Sequence, residues 1–242
     1  YNNAVLNAYE ENNKGEVRLS SSLLSSLDRA NSNFTITVKT SAGNITFPAD
    51  ILDKATNLNK LLGNGYNKSD VSVRISIEEL SSSASRSAAD ALNRIYPNGN
   101  IIGNAVDFKF KLYSTGSSNK YLGDLTSFTE PLDRTITLPS SASLGSSYTA
   151  YRYDPDRNTV TFVPHGIASG GSRNALTLKS NQCSIYFVAQ NNVSFNDVPA
   201  SAWYATYVNQ AASKGLIAGV GANRFDPDRN VSRAEFVQMI VN

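Results

Sequence analysis

NFTITVKTSAGNITFPADIL, residues 33–52, decides the class of fold this chain adopts. Phe34, Ile36 and Val38 alternate with polar residues, so an extended strand here has one apolar and one polar side. Gly43-Asn44 supplies a hairpin turn into a second strand, which Pro48 ends, and Ala49 to Leu52 begin a helical turn. Working outward, the same period of two recurs at Val71, Val73, Ile75 and Ile77 and again at Val106, Phe108, Phe110 and Leu112. RTITLPSS, SYTAYRYD, NTVTFVPH, NALTLKS and QCSIYFVAQ add further short strands. GEVRLSSSLLSSLDRA predicts a strand around Val17 to Leu19 followed by a helix, and SASRSAADALNRI predicts a helix before the Pro-Asn-Gly-Asn turn at 97–100. Many short strands with turns between them predict an α+β chain. Its main body is a mostly antiparallel, β-sandwich-like domain with small helical insertions.

Composition narrows the function. The chain has 242 residues, a formal net charge of +2 and no block of like charges, which argues against a surface built to neutralise nucleic-acid phosphates. The single cysteine, Cys183, excludes an internal disulfide, and with His165 as the only histidine it excludes a Cys/His metal cluster. No apolar run approaches the ~20 residues of a membrane-spanning helix. The segments GNG at 63–65 and SGGS at 169–172 read as turns, not phosphate loops. No cofactor is expected. The chain opens on Tyr1 without a leader segment and reads as part of a longer protein.

Near residue 190 the pattern changes. AQNNVSFNDVPASAW is a polar, asparagine-rich joint, and beyond it the period becomes 3.6. Trp203, Tyr207, Val208, Ala211 and Ala212 fall on one predicted helical face, which places Trp203 in a core. Lys214-Gly215 marks the end of that helix. SRAE at 232–235, followed by Phe236, Val237 and Ile240, is a capping box. In it the Ser232 hydroxyl accepts from the Glu235 amide while the Glu235 carboxylate accepts from the Ser232 amide. The prediction is helix, loop, helix. The domains are therefore 1–190, a β-rich domain; 191–194, a linker; and 195–242, a helical unit.

This unit resembles the S-layer homology (SLH) repeat. The resemblance rests on Phe195, Asp197 and Val198; Trp203; Gly215 to Ile217 with Gly219; Phe225 and Pro227; and Arg233 to Phe236, with Ser232 where threonine is commoner. It implies non-covalent anchoring to secondary cell-wall polysaccharide of bacterial envelopes, an extracellular location, and usually three repeats assembled as one unit. Arg233 is implied to face the glycan. Asp197, Trp203 and Glu235 match family positions too, and each has a structural reading as well: a turn clamp or cap, a core residue, and the cap of the second helix. A lone repeat buries little, so this one is expected to pack on the preceding domain or to await further repeats, the first of which it would be. Further SLH repeats or neighbouring surface-protein subunits are the other implied partners.

Residues 1–190 resemble the β-rich domains found upstream of SLH repeats, and their last strand is similar to that of GAIN-like self-cleaving domains. There a histidine precedes a Ser or Thr nucleophile. Gln182-Cys183-Ser184 stands at that place without the histidine base, so no autoproteolysis is expected, and Cys183 reads as a buried strand thiol. The string Asp-Pro-Asp-Arg-Asn occurs twice, at 154–158 and 226–230. Neither copy has the Gly and Glu that a calcium loop needs, so both read as Asx and proline turns. No acid, aromatic and glycine block resembles an active site. The resulting reading is a non-enzymatic surface module, a β-domain spacer with an SLH anchor. The alternative is the non-catalytic, carbohydrate-binding tail of an SLH-anchored enzyme that degrades polysaccharide.

Overall fold

The computed structural model describes residues 2–116, 119–142, 148–167 and 174–241; the predicted turn at 169–172 lies outside them. The chain begins with β1 (Asn3–Asn7), β2 (Tyr9–Glu11) and β3 (Lys14–Ser20), then α1 (Ser21–Ala30), whose first turn is capped by the Ser20 hydroxyl. The stretch at 33–52 becomes β4 (Thr35–Lys39), β5 (Gly43–Pro48) and the single turn α2 (Ile51–Lys54). α3 (Leu58–Leu62) and a 3-10 turn (Lys68–Asp70) lead to β6 (Val71–Glu79), α4 (Ser82–Ile95) and the long β7 (Asn100–Ser114). β8 (Tyr121–Leu125), β9 (Ser127–Thr137), β10 (Tyr148–Asp154), β11 (Thr159–Val163), β12 (His165–Ile167), β13 (Ala175–Gln182) and β14 (Ile185–Gln190) complete the sheets. α5 (Ala205–Ser213) and α6 (Arg233–Val241) follow.

The strands form two sheets. One has the order β1-β4-β5-β9-β13-β12. The other runs β11-β10-β14-β7-β6-β3-β2, with β8 beside β14 along the same edge of β7. Ile36, Ile45, Phe47, Val73, Ile75, Phe108, Phe110 and Leu178, all buried, fill the space between the sheets. Phe110 sits at its centre, edge-on to Phe47 at 5.2 Å and to Phe128 at 5.1 Å. A second, smaller core lies outside the larger sheet, where α4 covers Tyr151, Tyr153, Phe187 and Ala189 with Ala88, Ala91 and Leu92.

The α+β, mostly antiparallel reading holds, with one parallel exception among the described residues. β1 runs parallel to β4, with Asn3 opposite Thr35. The hairpin turn also sits earlier than the sequence suggests: Thr40 to Ala42 make it, and Gly43-Asn44 already belong to β5. Gly43 is required for a different reason, since a Cβ there would collide with the Thr135 carbonyl of the adjoining β9.

Two chain segments cross between sheets side by side. Leu125 to Ser127 carries the chain from β8 to β9, and Gln182 to Ile185 carries it from β13 to β14. The Cys183 amide donates to the Thr126 carbonyl at 2.9 Å and ties the crossings together. The ladder between β13 and β9 is irregular there, between Ser180 and Gln182. Carbonyls turned out of a ladder inside a protein need donors. Fully buried Arg134 supplies them, to Ser180 O at 2.6 Å, Gln182 O at 2.8 Å and Leu132 O at 3.1 Å.

Candidate functional site

The C-terminal unit is built from α5, α6 and the loop between them. α5 ends as predicted. The Gly215 amide reaches Ala212 O and the Leu216 amide reaches Ala211 O, each at 3.0 Å, with Gly215 in the left-handed region at φ 74°. The chain then turns through Gly219, where a Cβ would meet the Arg224 carbonyl and the Phe195 ring, so only glycine fits. Phe195 packs on Phe225 at 5.5 Å and closes the loop against the start of the unit.

Asp197 clamps that closure. Its two carboxylate oxygens accept from the Phe225 and Asp226 amides, both at 2.8 Å, and Arg224 stands 3.5 Å away. The Phe225 amide, first among these contacts, holds the Asp197 carboxyl below the ordinary carboxylate range. At the other end of the loop the capping box forms as predicted, with Ser232 N to Glu235 Oε2 at 2.8 Å and Glu235 N to Ser232 Oγ at 3.2 Å. Arg229 adds an ion pair to Glu235 at 2.6 Å and lies 3.9 Å from Asp226. Asp197 and Glu235 thus close the two ends of one charged loop through Arg224, Asp226 and Arg229. Sequence reading saw this loop as turn chemistry and missed the role of its arginines; their alternation with aspartates was the available signal.

The Glu235 carboxyl is held down to about 2, first by the Arg229 guanidinium and then by the Ser232 amide. A depressed carboxylate stabilises the fold above its unfolded value near 4.5 and loses that contribution as pH falls toward 2. A carbon-detected NMR titration is therefore expected to give a Glu235 midpoint near 2, with Ser232 amide protection falling in the same window. A midpoint at the ordinary glutamate value would remove the ion-paired cap.

Two predicted site residues lie outside this network. Arg233, the first residue of α6, is exposed and makes no hydrogen bond or ion pair among the described residues. Trp203 is 84% exposed, which overturns its expected place in a core. The helix starts two residues later than the apolar spacing suggests, and it turns small residues, Ala205, Ala212 and Ser213, inward. Small side chains allow close backbone approach, so Trp203 stays in the preceding turn, edge-on to Tyr204 at 5.6 Å, and Tyr207 faces solvent. A cleft of about 520 Å³ separates the 215–220 segment from α6, with Arg229, Glu235 and Met239 on its walls. Phe236, Val237 and Ile240 on α6 are more than half exposed.

The unit docks on the β-region through the carbonyl end of α5. Ser213 O accepts from Tyr151 Oη at 2.5 Å and from Asn191 Nδ2 at 3.1 Å, and Ala212 O accepts from Tyr96 Oη at 3.3 Å. Burial pushes the Tyr151 phenol well above its ordinary value. Lys214 lies over the Phe162 ring.

The other singled-out residues have structural partners. Cys183 sits half-buried in the link between β13 and β14, not buried within a strand as expected, because the chain changes sheets there. Burial pushes its thiol up to about 12. Ser184 Oγ donates to Tyr153 O at 2.9 Å, and both ring nitrogens of His165 face backbone carbonyls. The first Asp-Pro-Asp-Arg-Asn joins β10 to β11, with Asp154 accepting from the Asp156 and Arg157 amides. The second delivers the chain to the Ser232 cap.

Comparison with known proteins agrees with this geometry. The S-layer homology domain family matches residues 194–237. An amylopullulanase of Thermoanaerobacterium thermosulfurigenes is 25% identical over 170 residues, 65% of this chain and 9% of that protein. A surface-layer 125 kDa protein of Lysinibacillus sphaericus is 28% identical over 86 residues, 33% of this chain and 7% of that protein. The chain thus spans under a tenth of the length of these relatives. The first match is far longer than the SLH segment, so the likeness runs well into the β-region. No helix among the described residues is long and apolar enough to cross a membrane. The clamped loop and the capping box lie within the matched segment: residues 194–237 are an S-layer homology domain.

Proposed function

We propose that the chain is a non-enzymatic anchoring module in which residues 195–242 bind secondary cell-wall polysaccharide and residues 1–190 act as spacer and presentation domain, joined at 191–194. Arg233 carries the reading. A cation at a helix N-terminus faces the positive end of the peptide dipoles, so this position gives α6 nothing. An exposed, unpaired guanidinium there is free for an acidic glycan, whose carboxylates fit its planar fork. Asp197 and Glu235 hold the loop and cap that set its position, and exposed Trp203 offers a ring face. Further SLH repeats would cover Phe236, Val237 and Ile240 on α6.

Co-sedimentation with purified bacterial walls tests this. Arg233→Ala is expected to weaken retention about tenfold, the scale of one lost charge-assisted fork, and walls stripped of secondary polysaccharide should retain neither form. Equal retention of Arg233→Ala, or undiminished binding to stripped walls, would overturn the assignment.

A second reading has its own support. The likeness to an amylopullulanase reaches well into the β-region, which fits the non-catalytic, carbohydrate-binding tail of an SLH-anchored enzyme. Retardation of the chain in gels containing neutral α-glucan would favour it.

A further inference from the structure

We propose that the open outer face formed by β3, β6, β7 and β8 binds a carboxylate-bearing polysaccharide. The site stands apart from the SLH anchor. α4 covers the outside of the larger sheet over β14 and β10, and the β3–β6–β8 half carries a row of cations. Arg18 pairs in register with Arg74, and Arg74 with Lys111. Like charges directly opposite one another destabilise a sheet. Local partners compensate little of this row. Glu16 lies 3.5 Å from Arg74, while among the described residues Arg18 has only the Ser72 hydroxyl, at 3.1 Å. Lys111 has no ion pair among the described residues; Asp124, opposite it in register, accepts from the Tyr121 hydroxyl. Arg74 Nε is buried without an acceptor.

The next row is aromatic. Ser72, Tyr113 and Tyr121 stand opposite one another, with the two rings 5.4 Å apart. The Arg74 guanidinium stacks over Tyr113 at 4.0 Å, and the Tyr121 hydroxyl donates to Asp124 at 2.7 Å. The rings are therefore held in place before any ligand arrives, and Tyr121 remains 49% exposed.

These features select the occupant. Cations on neighbouring strands repeat about every 4.8 Å, which suits a chain carrying its carboxylates in series better than one small anion. Tyrosine rings beside them offer apolar faces with hydroxyl tips, a surface matched to sugar rings bearing both C–H edges and hydroxyls. A guanidinium fork completes recognition of the carboxylate.

Affinity electrophoresis of the full chain in gels containing polygalacturonate tests the proposal. The chain is expected to be retarded, less so as salt rises. Arg18→Gln/Lys111→Gln should weaken binding about tenfold or more, and Tyr121→Ala severalfold, whereas Arg86→Gln, an exposed cation on α4 away from this face, should leave it unchanged. The double variant should melt no lower than the parent, since it relieves like-charge repulsion, so loss of binding cannot be loss of fold. No retardation of the parent, full binding by the double variant, or equal loss with Arg86→Gln would each overturn the site. So would equal binding of polyglutamate that survives Tyr121→Ala, which would assign the face to an acidic polypeptide.

Discussion

Replacing Arg134 by alanine is expected to destabilise the β-region by about 3–5 kcal/mol, from a large buried cavity and carbonyls left without donors. For a domain of this size that lowers the melting temperature by on the order of 10 °C. The guanidinium is fully buried, has no carboxylate partner among the described residues, and is balanced by three carbonyls and by the rings of Tyr186 and Phe108. Arg134→Met separates volume from bonding. It fills the cavity but leaves Ser180 O without this donor, so it should recover part of the loss. Arg134→Lys keeps the charge and loses the fork, and should recover little. Thermal melts of the three variants check this. A methionine variant melting with the parent would show that packing alone, not the fork, holds the sheet crossing.

The second large effect is expected at the dock between the β-region and the SLH domain. Tyr151→Phe with Asn191→Ala removes both donors to Ser213 O, a carbonyl at the last turn of α5 that the helix cannot satisfy itself. Leaving it buried and unpaired costs about 1–3 kcal/mol. The loss is local, so amide hydrogen exchange in α5 should rise while β6 and β7 keep their protection. The single variants should each do less than half of this, because either donor alone still serves the carbonyl. Unchanged exchange in α5 would mean that the helix is held by something other than these bonds.

Much of this was legible beforehand. Val71 to Ile77 and Val106 to Leu112 alternate so regularly that their faces follow from the period of two, and they line the core. The Ser232–Glu235 box was legible because a capping box is closed within four residues. What escaped depends on partners distant in sequence. β1 is a five-residue strand whose parallel pairing with β4 no local pattern encodes. Trp203 was assigned inward on apolarity, but Ala205, Ala212 and Ser213 decide which side of α5 approaches the β-region. Tyr113 and Tyr121, scattered in the sequence, meet only because β8 folds back on β7. Arg134 gave no signal, since two of the three carbonyls it serves, Ser180 O and Gln182 O, belong to residues more than forty positions away.

The position of β14 has a mechanical consequence. It lies between β10 and β7, bonded along its length on both sides, and its C-terminal end leads to the SLH domain. Tension applied through a wall-bound anchor would run along the strand axis. The ladders on both flanks would then be loaded in shear, their hydrogen bonds sharing the force together, instead of being peeled one at a time as at a sheet edge. An interior strand of the larger sheet is thus also the domain's tether.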